Sequence, residues 1–154
     1  MEIVKAKKHQ LIEILYIIKE CSRQLLEKGV KYWNNSMADF NDIASDIEKG
    51  HVYIAIDNRI PIGTITLKPE SDNGRKLAIS RLAIYPAFQK KGSAHQLILF
   101  AIEQAKEGKY EQITGHIPVD DKSLVNLLEE NGFKNKSQAP TKEEFVKIIF
   151  EKTL

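Results

Sequence analysis

Ile79-Ser80-Arg81-Leu82-Ala83-Ile84-Tyr85-Pro86-Ala87-Phe88-Gln89-Lys90-Lys91-Gly92-Ser93-Ala94 reads as a buried strand, a short basic turn and the start of a helix. Ile79 to Tyr85 is apolar and suited to a strand, and Pro86 ends the ladder. Ala94 to Lys106 then carries helix formers without a Pro or Gly. A strand feeding a helix in this way makes an anion site. The first amides of the helix lack intrahelical partners, and the helix dipole adds partial positive charge at that end. Gly92 permits a positive φ or a close backbone approach, and Lys90 and Lys91 add full charges, so phosphate is the natural guest. An alternative reading has Gly92 closing a surface turn and Ser93 capping the helix, with Gln96 completing a capping box.

The rest of the chain bounds that element. One domain spanning residues 1–154 is expected, long enough to bury about two-thirds of the surface of its unfolded form. Composition is that of a globular protein, 42% hydrophobic and 29% charged, and a net charge of +2 argues against a broad nucleic-acid surface. Cys21 is the single cysteine, so no intrachain disulfide can form. Its place in an apolar helical pattern marks it as a buried, inert thiol and favours a cytoplasmic location. The start, Met1-Glu2-Ile3-Val4-Lys5, lacks the apolar region of a signal peptide, and no apolar run reaches membrane-spanning length, so no membrane partner is expected.

In order, Glu2–Lys5 is a first strand, and a helix runs from about His9 to Lys28. Leu11, Ile14, Leu15, Ile18, Cys21, Ser22, Leu25 and Leu26 form its apolar stripe, and Gly29 is its stop. Residues 30–38 read as a loop containing Tyr32 and Trp33. Ser36 or Asp39 then caps a shorter helix with Phe40, Ile43 and Ile47 on one face. His51–Ile56 and Ile60–Leu67 form a hairpin about Asp57-Asn58-Arg59, with Pro61 at the strand entrance. Ser71-Asp72-Asn73-Gly74 turns the chain into the Lys76–Tyr85 strand. After the helix that starts near Ser93 and stops at Gly108, Tyr110–Ile117 is a strand placed parallel to Ile79–Tyr85 by a right-handed crossover. A helix over Asp121–Asn131, with Leu124, Val125, Leu127 and Leu128 inside and Gly132 at its end, precedes a last strand, Phe145–Phe150.

This order, strand, two helices, three strands, helix, strand, helix, two strands, resembles the GNAT superfamily of acetyl-CoA-dependent N-acetyltransferases over essentially the whole chain. The most specific match is Gln89-Lys90-Lys91-Gly92-Ser93-Ala94, similar to the family's Q/R-x-x-G-x-G/A loop after an apolar strand ending in Pro. Asp121 to Phe133 has the length and closing Gly-Phe of the family's later helix. The resemblance implies an α+β (mixed α/β) fold. A mixed, mostly antiparallel sheet of six to seven strands is flanked by about four helices, and two splayed parallel strands form a coenzyme A cleft.

What the resemblance implies for the site follows. The amides of Gln89, Lys90, Lys91, Gly92, Ser93 and Ala94 would hold the coenzyme's pyrophosphate, and the backbone from Leu82 through Ala83 to Ile84 the pantetheine arm. The family's frequent Asn at the start of the later helix is Asp121 here, and the position of its frequent proton-donating Tyr is Leu128, which cannot donate. Acetyl-CoA is the implied cosubstrate, with no metal. An amine attacks the thioester directly, so no covalent enzyme intermediate is needed. The implied acceptor is a small-molecule amine, no nucleic acid is expected, and a homodimer is allowed.

Two residues offer proton transfer. His116, near the carboxyl end of its strand, titrates in the useful range but also fits a packed or surface role. Tyr85, at a strand end, is either a relay or a packing residue. Arg81, in a central strand, either pairs with a carboxylate or faces the acceptor cleft. Tyr32 and Trp33 either wall the acceptor pocket or plug the core. A non-catalytic acyl-CoA-binding or regulatory domain on the same fold is the rival reading, and a nucleotide or nucleic-acid binder using the Lys90-Lys91 turn a third.

Overall fold

A computed structural model describes residues 1–29, 39–70, 73–118, 122–136 and 147–154, without the side chains of residues 73, 116–118, 147 and 148. The strands are β1 (Glu2–Lys5), β2 (Val52–Asp57), β3 (Ile60–Glu70), β4 (Asn73–Ile84), β5 (Gln112–Pro118), β6 (Lys134–Asn135) and β7 (Lys147–Thr153). The helices are α1 (Leu11–Glu27), α2 (Phe40–Glu48), α3 (Ser93–Glu107) and α4 (Lys122–Glu130). Seven strands form one sheet in the order β1-β2-β3-β4-β5-β7-β6, and every neighbouring pair is antiparallel except β4 and β5. That exception is the crossover through α3, as expected for strands separated by a long helix. Among the described residues no helix is long and apolar enough to cross a membrane.

Helices cover both faces. Leu97, Ile98 and Ala101 of α3 and Leu128 of α4 pack with Leu77, Ile79, Ile113 and Phe150 of the sheet. On the other face, Ile14, Ile18 and Cys21 of α1 and Ile43 and Ile47 of α2 pack on Val52, Ile54 and Ala83. A strand buried on both sides has no polar face, and all six residues from Ile62 to Leu67 are buried. The β2–β3 hairpin closes through Asn58 and Arg59, both at positive φ (48° and 66°), which matches the right-handed twist of the strands. Pro61 lies opposite Ile56 at a register shift, where its missing N–H is tolerated.

Several expected boundaries and faces move. The buried stripe of α1 includes Ile17, whereas Leu26 is 54% exposed. In α2, Phe40 is 50% exposed, and Asp46 joins Ile43 and Ile47 as a buried residue. Asp39 is the cap, its Oδ1 accepting from the Asp42 N–H at 2.9 Å. β4 begins at Asn73, inside the expected turn, because Asn73 pairs with Glu70. β7 runs on through polar Glu151 to Thr153 because these residues pair with β5.

Candidate functional site

β4 and β5 pair only from Lys76↔Gln112 to Ile79↔Gly115. Beyond Gly115, β5 continues alongside β7 through Pro118, while β4 runs on to Ile84. Ser80 to Ile84 therefore has no strand on its β5 edge among the described residues, and a V opens between the two parallel strands.

A bulge sits where they part. Thr66 pairs with Ser80 and Thr64 with Ala83, so Arg81 and Leu82 together oppose Ile65, and Arg81 has φ 50°. The extra residue flips the strand's faces. Before it, Leu77 and Ile79 belong to the α3/α4 core. After it, Leu82 and Ile84 do, and Ala83 and Tyr85 turn to α1. A left-handed Arg costs about 1–3 kcal/mol and persists only where its surroundings hold it. Arg81 Nη1 binds Asp46 Oδ2 at 2.6 Å, and Lys68 Nζ binds Asp46 Oδ1 at 3.0 Å. Burial raises the Asp46 pKa, but the bonds from Arg81 and Lys68 outweigh it and hold the carboxyl below its ordinary value. Of the two readings of Arg81, the structure brings out the pairing with a carboxylate.

Next to Asp46, the backbone N–H of His51 donates to the Asp46 carbonyl at 2.9 Å. Its Nδ1 is buried without a hydrogen-bond partner among the described residues, and burial pushes the imidazole pKa down.

After Ile84 the chain passes through one 3-10 turn, Pro86–Phe88, into Gln89. Lys90 (φ 65°) and Gly92 (φ 82°) are both left-handed, and Gly92 is the cap of α3. Ser93 is the first helical residue rather than the cap, and the Gln96 N–H goes to the Gly92 carbonyl at 3.1 Å, so the Ser93–Gln96 capping box does not form. Among the described residues none of the N–H groups from Lys90 to Gly92 donates to a backbone carbonyl. Those of Ser93 and Ala94 belong to the first helical turn, which has no i−4 acceptor. The Gln89 N–H differs, donating to Pro86 O at 3.3 Å. Lys90 and Lys91 are exposed, with Lys91 5.6 Å above the Phe88 ring. A Cβ built on Gly92 meets no atom within 4 Å, so the turn faces open space.

The turn is tied back to the fold. Gln89 Nε2 donates to Ile84 O at 2.8 Å and to Gln24 Oε1 of α1 at 2.9 Å. The same Ile84 carbonyl accepts from Cys21 Sγ at 2.9 Å. Burial pushes the Cys21 thiol up to about 12, which makes it inert, as expected. Tyr85 stacks on Tyr16 of α1 (5.7 Å between centroids) and tilts against Phe88 at 6.2 Å. Tyr16 is raised in pKa first by its hydrogen bond with Tyr85. His95 of α3 and Asn131 after α4 meet at 3.2 Å, bracing the start of α3.

The structure thus gathers Arg81, Leu82, Ala83, Ile84, Tyr85 and the Gln89–Ala94 turn at the open end of the parallel pair. Leu128 is 2% exposed and packed in the core, its Cδ1 3.9 Å from where a Gly115 Cβ would stand. Tyr32, Trp33 and Asp121 lie outside the described residues. So does the side chain of His116, whose backbone pairs with Ile149 in the diverging part of β5. Sequence reading missed Gln24, Asp46 and Lys68, because no local pattern marks a partner 35 or 65 residues away. A separate cavity of about 630 Å³, lined by residues such as Lys7, Leu11, Asn41 and Glu48, shares no lining residue with this site.

Known proteins bear on this geometry. No curated protein matches the chain. Among solved structures, the PaiA N-acetyltransferase from Thermoplasma acidophilum, solved in complex with coenzyme A, superposes with a TM-score of 0.83 at 17% identity, over 99% of this chain and 98% of its own. A ribosomal-protein-alanine N-acetyltransferase from Brucella melitensis gives 0.80 at 18%, over 100% of both chains. The protein yncA from Salmonella typhimurium, solved with its cofactor acetyl-CoA, gives 0.80 at 19%, over 100% of this chain and 94% of its own. At such identities the likeness is one of fold. The family model described as the acetyltransferase (GNAT) family matches residues 12–133, from α1 through the splayed strands and the amide-lined turn to Phe133 after α4, and the chain belongs to that family.

Proposed function

We propose that the chain transfers the acetyl group of acetyl-CoA to the amine of a small molecule in the cytoplasm, by direct attack and without a covalent enzyme intermediate. The observation that carries this reading is the turn from Lys90 to Ala94, whose unclaimed amides and left-handed Gly92 face open space at the mouth of the β4–β5 splay. Those residues fit a pyrophosphate: donors without backbone acceptors among the described residues, room for oxygen atoms, and two lysines beside them. Two of the similar structures are N-acetyltransferases by name, which supports an amine acceptor.

Acetyl-CoA supplies the activated acyl group when bound. The turn would hold the phosphates, Asp121 would accept a hydrogen bond from the coenzyme, and the open edge around Leu82 would receive the pantetheine arm. Both lone pairs of the Ile84 carbonyl are already taken by Cys21 and Gln89, which would leave the Leu82 end of the edge to bind the arm. A backbone N–H at or beside Leu82, in the bulge that Arg81 and Asp46 hold, would serve as the oxyanion donor. His116 takes the amine proton, with Tyr85 as the alternative relay, and Tyr32 and Trp33 shape the acceptor pocket. A buried Leu128 donates no proton, and a coenzyme thiol, close in acidity to a free Cys at about 8.5, would leave as thiolate or by way of water.

Two assays test this. Acetyl-CoA and coenzyme A should raise Tm where ATP and NAD do not, and failure of both thioester and thiol to stabilise the protein would sink the coenzyme reading. Thiol release across a panel of amines then tests transfer. Coenzyme binding with no release above background, for any amine, would overturn the proposed acceptor chemistry. An unchanged rate and pH profile in His116→Ala would remove His116 as the base.

A further inference from the structure

We infer that Gln24 of α1 is a positioning residue for the phosphate-binding turn, acting through the Gln89 carboxamide. The inference rests on the coenzyme reading of that turn and adds the device that sets its shape. Ile84 is the last residue of β4, and its carbonyl is where the strand hands the chain to the turn. A primary amide has two N–H groups. Gln89 spends one on Ile84 O at 2.8 Å and the other on Gln24 Oε1 at 2.9 Å. Its backbone N–H is held as well, by Pro86 O at 3.3 Å. The first residue of the turn is therefore fastened to the strand that precedes it and to a helix 65 residues away in sequence.

Only an oxygen acceptor is required of Gln24. Both partners of the Gln89 nitrogen are acceptors, so the orientation of its carboxamide follows from chemistry rather than from an arbitrary choice of flip. Without Gln24, the half-buried Gln89 loses one of its two anchors, and the carboxamide can rotate away from β4. Lys90 and Gly92, both left-handed, then have less to hold them in the conformation that lines up the amides. The ordering once supplied by the fold must be supplied by the ligand, and affinity falls accordingly.

The test uses the full chain with Gln24→Leu, Gln24→Glu, Gln89→Met and the Gln24→Leu/Gln89→Met double variant. Calorimetry reads coenzyme A binding, and backbone NMR relaxation reads the order of the free turn. Gln24→Leu should raise the Kd for coenzyme A about tenfold, the loss of roughly one hydrogen bond, while Tm shifts by no more than about 4 °C. Order parameters of the Lys90 to Ala94 amides should fall in Gln24→Leu and return to the wild-type values in Gln24→Glu, which keeps the acceptor oxygen. The double variant should bind no more weakly than Gln89→Met, because Gln24 acts only through Gln89. A Kd for Gln24→Leu within about twofold of wild type, or losses that add in the double variant, would overturn the inference. If wild type bound no coenzyme A, the coenzyme reading would fail, and backbone order alone would judge the clamp: lower order parameters at Lys90 to Ala94 in Gln24→Leu support it and unchanged ones refute it.

Discussion

Gly92→Ala separates backbone strain from ligand binding, because Gly29 provides a matched control. Gly92 has φ 82° and Gly29 φ 84°, and a Cβ on either meets no atom within 4 Å. Neither substitution clashes, so the cost is conformational. A left-handed L-residue costs about 1–2 kcal/mol, and the stiffer unfolded chain returns about 0.4–1 kcal/mol, leaving on the order of 1 kcal/mol. For a chain of this size that is a fall in Tm of about 2–4 °C, and the two variants should match. They should differ in coenzyme binding. Gly92 lies within the amide-lined turn, whereas Gly29 only ends α1, its N–H bonded to Leu26 O at 3.0 Å. Calorimetry with coenzyme A should show weaker binding in Gly92→Ala and wild-type affinity in Gly29→Ala. Equal Tm losses with unchanged affinity in Gly92→Ala would refute the assignment of the turn to phosphate. An equal loss of affinity in Gly29→Ala would show the effect to be global.

Three further outcomes follow from the geometry. Asp46→Asn leaves the half-buried Arg81 and the exposed Lys68 head without their carboxylate and should cost about 2–3 kcal/mol in denaturant melts, short of the roughly 3–5 kcal/mol of a fully buried pair. Because the folded Asp46 pKa is lowered, its contribution is present above the ordinary carboxylate range and fades as pH falls through the lowered value, so the variant should lose part of the acid limb of the stability curve. Cys21, raised from 9.0 to about 12, should resist iodoacetamide at pH 8 in the folded protein and react on unfolding. Its sign is opposite to that of Asp46: the contribution is complete below pH 9 and declines as pH climbs toward 12. In Gly63→Ala the new Cβ would stand 2.6 Å from Ile84 Cδ1 and 3.0 Å from the Ala83 carbonyl oxygen. The Ile84 tip can swing aside but the backbone oxygen cannot. Overpacking of about 1–3 kcal/mol is expected, with weaker acetyl-CoA binding as the end of β4 shifts; an unchanged Tm would contradict it.

The elements legible in the sequence are those whose signals are local. Pro86 after an apolar run and Gly92 before an unbroken helical stretch place the turn, and a long helix between two strands makes them parallel. Which helix face is buried proved less local. Phe40, Ile43 and Ile47 make a plausible apolar stripe, yet Phe40 is exposed and Asp46 takes a buried place beside Ile43 and Ile47. Periodicity favours the apolar residue, but a carboxylate facing Arg81 and Lys68 is worth burying, and those partners lie in β4 and β3. Leu26, on the last turn of α1, is exposed in the same way, while its neighbour Leu25 packs against the core.

From sequence alone, then, come the order of elements, the parallel pair and the turn with its glycine before α3, since backbone sterics and capping act over a few residues. Tertiary structure decides how those parts are held. The bulge that turns Leu82 and Ile84 to the face left by Leu77 and Ile79 is invisible as a pattern, because one extra residue reverses the alternation that a strand reading assumes. The carboxylate that holds Arg81 in a left-handed conformation stands 35 residues away, and the glutamine that fastens the turn stands 65 away. Only the folded chain brings them within hydrogen-bond distance.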